Sequence, residues 1–229
     1  MKALLYKEFK LAMHPICYVF IALFPFMILI PSYPLGIGFI YVLTCYPILF
    51  LGANKGQQSN DLLFSTLLPV RKKDIVLARI FTVAILQFAF VAITSCLYPL
   101  AVLVNANISA AEAGVHAVPG IGLNGYVSVL AIAIFGYALA DLIYFSIYYK
   151  KGKSIVMSTL FTIFGYAIYL AVFTIIIPYI PGCERYVKAL SDNGIGVQFI
   201  ILGAALLLYA LLHVLVYKIS SKELERVDF

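Results

Sequence analysis

Six apolar runs, separated by short polar gaps, occupy most of the chain: 15–32, 35–54, 76–104, 123–149, 154–180 and 196–217. Crossing the hydrocarbon core of a bilayer, ~30 Å thick, takes about 20 residues at a rise of ~1.5 Å each, so each run is a candidate membrane span. Runs three, four and five exceed the minimum and must tilt, bend or project. Only PSYPLGIG separates the first two, which predicts a tight hairpin with a very short outside turn. Pro25, Pro47, Pro99 and Pro178 lie inside spans, where each removes a backbone hydrogen bond and favours a kink. Membrane helices tolerate this where neighbouring groups satisfy the freed carbonyl. The pattern predicts an all-α integral membrane protein of one domain. It comprises an interfacial amphipathic helix (1–14), a first hairpin (15–54), a cytoplasmic segment carrying a short helix (55–75), four further spans (76–217) and a cytoplasmic tail (218–229).

The basic residues orient this arrangement. Lys2, Lys7 and Lys10 precede the first run, and the next gap has no charge. Lys55, Arg71, Lys72, Lys73 and Arg79 follow the second run; the gap at 105–120 again has no Lys or Arg. Lys150, Lys151 and Lys153 fill the next gap, then only Arg185 and Lys188, and finally Lys218, Lys222 and Arg226. Alternate gaps thus hold fourteen of the sixteen basic residues. Short loops rich in Lys and Arg stay cytoplasmic, so six spans with both termini inside are expected. The composition agrees: 64% hydrophobic and 11% charged, with a mean hydropathy of +1.03, where a soluble domain carries roughly a quarter charged residues. The net charge of +6 does not point to nucleic acid, because the basic residues flank apolar spans instead of sharing a folded face. They are topology signals that also suit anionic lipid headgroups.

The first fourteen residues, MKALLYKEFKLAMH, carry charges through the stretch where a signal peptide would have its apolar core. Leu5, Phe9, Ala12 and Met13 share one helical face, with Lys7, Glu8 and Lys10 elsewhere, so an interfacial helix on the inner leaflet is expected; a frayed tail is the alternative. Tyr144, Tyr148, Tyr149, Tyr179 and Tyr217 gather near span ends, as in an aromatic belt. Tyr41, Tyr46, Tyr137, Tyr166, Tyr169 and Tyr209 lie deeper, for packing or for hydrogen bonding along a substrate path.

The most informative polar segment follows span two: KGQQSNDLLFSTLLPVRKKDIVLAR. Ser59, Asn60 and Asp61 can each cap a helix. DLLFSTLL then forms about two apolar turns, ended by Pro69, and Arg71 to Asp74 make a charged collar. Leaving Leu62, Leu63, Phe64, Leu67 and Leu68 in water costs ~25 cal/mol per Å², so this helix needs the inner leaflet or another protein's groove to cover it.

The order of a KEF-type amphipathic helix, a tight hairpin, LLFSTLLPVRKKDIV and a long third span resembles the permease subunits of type 2 ABC exporters. The likeness spans nearly the whole chain by organisation and about fifteen residues, Asp61 to Ile75, by motif. It implies that Asp61, Leu62, Leu63, Phe64, Ser65, Thr66, Leu67 and Leu68 form a coupling helix docking on a nucleotide-binding ATPase subunit. Pro69, Arg71, Lys72, Lys73 and Asp74 would be its flank, and Arg71 departs from the small or polar residue expected there. The resemblance extends to small bacterial exporters of cytolytic peptides such as phenol-soluble modulins and to peptide-antibiotic immunity pumps. It implies a homodimer in the bacterial plasma membrane that moves hydrophobic or amphipathic cargo outward.

The rest of the sequence supplies no competing chemistry. A P-loop needs G-x-x-x-x-G-K-[ST]; Gly152-Lys153-Ser154 has Ile147 where the first glycine belongs. ATP and Mg are therefore expected on the partner subunit, with no cofactor, catalytic residue or metal site here. The four cysteines lack metal-ligand spacing. His14 and His213 fall near the inner face and His116 outside, too dispersed to share a metal. Asp141 is the one acidic residue well inside a span, ~13 Å from the inner boundary at Lys150. Such a residue is costly and faces protein or water; its role is either structural, bonded to a Tyr or Ser, or direct, in gating or cargo contact. Two other classes stay open, an integral membrane enzyme and a non-transporting anchor or sensor subunit. The missing catalytic constellation counts against the first and the apolar DLLFSTLL helix against the second.

Overall fold

A computed structural model describes residues 2–29, 36–49, 70–109, 126–150, 155–173 and 195–226. Helix α1 covers Lys2–Lys7 and runs into a wide π turn, Glu8–Ala12. Helix α2 covers Ile16–Leu23 and tightens into a 3₁₀ turn, Phe24–Leu29, at Pro25. There follow α3, Gly36–Leu49; α4, Lys72–Ser109; α5, Tyr126–Lys150; α6, Ile155–Ala171; and α7, Ile195–Glu225. Nearly all of the described residues are helical, and none forms a strand. Three stretches are long and apolar enough to cross a membrane: Lys72–Val104, Tyr126–Lys150 and Gly196–Glu225. Shorter apolar helices, Ile16–Leu29, Gly38–Ile48 and Ile155–Ala171, stand where the sequence places the remaining spans.

Helix α5 is the axis of the bundle, with α7 packed along one side and α6 on another. Its small residues explain this, since Ser128, Ala131, Gly136, Ala138 and Ala140 are buried and allow backbones to approach closely. At Gly136 a Cβ would come within 2.7 Å of Tyr166 Cε2 and 2.8 Å of Tyr169 Cε1. Neither ring can move freely: Tyr166 is buried and stacked on Phe39 and Tyr137, and Tyr169 donates its hydroxyl to the Ile132 carbonyl at 2.8 Å. Gly136→Ala is therefore expected to cost about 1–3 kcal/mol, measurable as a lower unfolding temperature in lipid or detergent. Helix α7 shows the opposite economy. Of its buried positions, Gln198, Ala205, Tyr209, Val216, Ser220 and Leu224 recur at steps of seven and four, a stripe facing the bundle that Ser221 widens near its end. Around that stripe Phe199, Ile200, Leu207 and Leu211 are exposed, as lipid-facing residues are.

Two features depart from the expected layout. The residues taken as a cytoplasmic tail continue α7 without a break to Glu225, whose carboxylate lies 3.1 Å from Lys73 Nζ at the start of α4. The first helix does not simply lie on an apolar face either. Glu8 is fully buried and Lys7 nearly so, while Phe9 is only half-buried. Glu8 turns inward because Arg79, one layer into α4, meets it there. The π turn follows from the same placement. The Met13 N–H reaches back to the Glu8 carbonyl at 3.1 Å, and the freed Phe9 carbonyl accepts the Tyr18 hydroxyl at 2.6 Å.

Candidate functional site: two buried polar layers

The deeper layer is centred on Asp141, which is fully buried on α5. Tyr46 of α3 donates its hydroxyl to Asp141 Oδ1 at 2.5 Å. Gln87 of α4 donates from Nε2 both to Asp141 Oδ2, at 2.9 Å, and to the Tyr46 hydroxyl oxygen, at 3.1 Å. Its carbonyl Oε1 in turn accepts the Tyr209 hydroxyl of α7 at 2.6 Å. One turn along α7, His213 places Nε2 3.1 Å from Asp141 Oδ2, and its ring stacks on Tyr209 with centroids 4.0 Å apart. Four helices thus meet at one carboxylate. In an apolar interior every such group must find a partner or cost free energy, and this layer provides one for each member except His213 Nε2, which has no in-line hydrogen bond.

The second layer lies at the end of the bundle where the basic residues gather. Arg79 donates from Nε to Glu8 Oε2 at 3.2 Å and from a terminal nitrogen to the Tyr148 hydroxyl at 2.9 Å. Its guanidinium also sits over the Tyr148 ring, 5.8 Å from the centroid. Lys7 Nζ stands 3.5 Å from the other Glu8 oxygen. A buried cation on α4 is thereby joined to the N-terminal helix and to α5. Aromatic rings connect the two layers: Tyr148 stacks on Tyr144 with centroids 5.9 Å apart, and Tyr144 meets Tyr46 edge-on at 5.4 Å.

The sequence-predicted site residues divide accordingly. Asp61 to Pro69 lie outside the described residues. Of the flank, Arg71 and Lys73 are exposed, Lys72 and Asp74 half-buried, and the Asp74 N–H closes the first turn of α4 on the Arg71 carbonyl at 2.9 Å. Asp141, the one acidic residue well inside its span, is bonded by Tyr46 and by Gln87 from two other helices. His213, expected near the inner face, lies beside Asp141, 3.1 Å from its Oδ2, on a helix that runs on past Lys218 to Glu225. His14 is elsewhere, accepting the Ile16 N–H on Nδ1 at 3.3 Å at the start of α2. Among the described residues no group of three or more His, Cys, Asp or Glu could hold a metal ion.

An apolar helical exterior around buried polar layers defines a polytopic membrane protein. Residues 3–222 match a family model described as ABC-2 family transporter protein, and the chain belongs to that family. It is a membrane component of an ABC transporter, of a kind that associates with an ABC ATPase subunit and is not generally catalytic itself. No curated protein and no solved structure matches the chain.

Proposed function

We propose that the chain is the permease of an ATP-driven exporter, working as a homodimer with two ATPase subunits and moving hydrophobic or amphipathic cargo, peptides above all, out of a bacterial cell. On this reading six helices span the plasma membrane, both termini are cytoplasmic, and Asp61 to Leu68 form the helix that docks on the ATPase. The family match over 3–222 carries the proposal. The course of α4 supports the docking role, because the chain leaves the Asp61–Pro69 segment and within a few residues enters a helix of 38 residues. Motion imposed on that segment passes into the interior without an intervening loop. The ties from Arg79 and Lys73 to Glu8 and Glu225 spread it to the first and last helices.

The interior supports the choice of cargo. A cavity between α3, α4 and α5, lined by residues such as Gly38, Phe90, Tyr126 and Tyr137, has only about 20 Å³, room for a single water. A wide aqueous path needs rings of charged or carbonyl groups, whereas the charged groups buried here, Glu8, Arg79 and Asp141, are engaged by one another or by neighbouring side chains. Tyr41 and Tyr166 keep buried hydroxyls without a hydrogen-bond partner among the described residues. Such an interior suits a molecule with one apolar and one polar face, entering from the inner leaflet. The exposed apolar residues of α6 and α7 leave room for lipid and for a second copy.

Reconstitution with the ATPase in lipid tests the whole reading. ATP hydrolysis should rise with amphipathic helical peptides and stay flat with sugars or inorganic ions. Phe64→Asp and Leu67→Asp should insert normally yet lose transport and loosen coupling, because each places an unpaired charge in an apolar groove. Full transport by both variants, or stimulation by hydrophilic solutes alone, would overturn the proposal.

A further inference from the structure

His213 is held in one tautomer by its surroundings. Nδ1 lies 2.9 Å from the Tyr209 backbone carbonyl, and a carbonyl oxygen only accepts, so Nδ1 must carry a hydrogen. In a neutral ring the other nitrogen, Nε2, is then a bare lone pair. Nε2 lies in the buried layer, 3.1 Å from Asp141 Oδ2 though not in line with it. A carboxylate that close to a neutral imidazole, away from bulk water, draws a proton to the pair by charge. The remaining hydrogens are already committed. The Tyr46 hydroxyl goes to Oδ1, both Gln87 amide hydrogens go to Oδ2 and the Tyr46 oxygen, and the Tyr209 hydroxyl goes to Gln87 Oε1.

We infer that Asp141 and His213 together form a binding site for one proton in the membrane interior, and that this proton holds α7 against α5. Two arrangements carry it, imidazolium beside carboxylate or neutral imidazole beside carboxylic acid. Both make the pair electrically neutral, as a low-dielectric interior favours. Loss of the proton to water leaves one uncompensated negative charge in the buried layer and weakens the hold of α7 on α5. Among the described residues no other charge stands in the layer to substitute. The groups facing the pair are Tyr46 and Tyr41 from α3, Gln87 from α4, Tyr144 from α5 and Tyr209 from α7, phenols and an amide that carry no charge at neutral pH. The nearest cation, Arg79, is engaged by Glu8 and lies beyond Tyr148 and Tyr144. The site stands independently of the exporter reading, since it rests on hydrogen-bond inventory and charge alone.

The sign of the pH dependence follows. In an unfolded chain Asp is ionised and His neutral above about pH 6.5, so the folded protein binds one more proton there and loses stability as pH rises. The test uses the full chain, labelled with ¹⁵N-histidine and held in lipid nanodiscs at about pH 7, near the ordinary histidine midpoint. Either His213 with both nitrogens protonated, or a carboxylic acid infrared band absent from Asp141→Asn, is the expected result. An ionised Asp141 beside a neutral His213 would overturn the inference. A second measurement titrates wild type and Asp141→Asn from about pH 6.5 upward. Wild type should release one proton more per chain and should lose melting temperature with pH more steeply; equal release would also overturn it. His213→Gln provides the same comparison if Asp141→Asn fails to reach the membrane, and the wild-type spectrum decides the matter without any variant.

Discussion

Arg79→Met should lower the stability of the protein by about 3–5 kcal/mol, the cost of stranding one partner of a buried ion pair. Glu8 is fully buried and Arg79 is 2% exposed, so neither charge recovers its hydration when the other is removed. Lys7, at 3.5 Å, compensates only in part, because it contacts the opposite carboxylate oxygen and lacks the guanidinium's reach to Tyr148. The double variant Glu8→Leu with Arg79→Met should recover most of the loss, since apolar replacement of a whole buried pair is often neutral or better. Denaturation of the purified protein in detergent reads both quantities. A loss under about 1 kcal/mol for Arg79→Met would mean that the pair behaves as a solvated surface contact.

Asp141→Leu should be comparably damaging for a different reason. It removes the acceptor for the Tyr46 hydroxyl and for one Gln87 amide hydrogen, and it leaves His213 without its counter-group. Each orphaned donor costs about 1–3 kcal/mol, and the three come from three different helices, so the folded yield should fall sharply. Asp141→Asn keeps the size and one carbonyl acceptor, and should fold better than Leu while remaining below wild type. Equal yields from Leu, Asn and wild type would show that the deep layer contributes nothing to assembly.

The long apolar runs at 76–104, 123–149 and 196–217 were legible because twenty consecutive apolar residues have few other uses, and α4, α5 and α7 stand over them. Glu8 and Arg79 were not legible as partners. Helical spacing separates an apolar face from a polar one but assumes water on the polar side, and Arg79 had a sufficient role as a topology charge. The deep layer left a fainter trace. Gln87, Asp141 and His213 are polar residues inside spans, each too costly to face lipid, and they gather in one buried layer. What hid it was separation along the chain, because residues 87, 141 and 213 sit on three different helices and spacing within one helix says nothing of which helices pack together. The apolar turns of Asp61 to Leu68 lie outside the described residues, so their docking role rests on the motif and on the course of α4.

Pro99 gives α4 a hinge. It offers no hydrogen to the Ser95 carbonyl one turn earlier, and the adjoining turn is already softened where Thr94 and Ser95 return their hydroxyls to the Phe90 and Val91 carbonyls, each at 2.8 Å. At ~1.5 Å per residue the arm from Lys72 to Ser95 is about 35 Å long, and the arm from Pro99 to Ser109 about 15 Å. A small bend at that point would therefore carry the tip of the long arm more than twice as far as the same bend would carry the tip of the short one, and the basic end could swing while the other end stays in place.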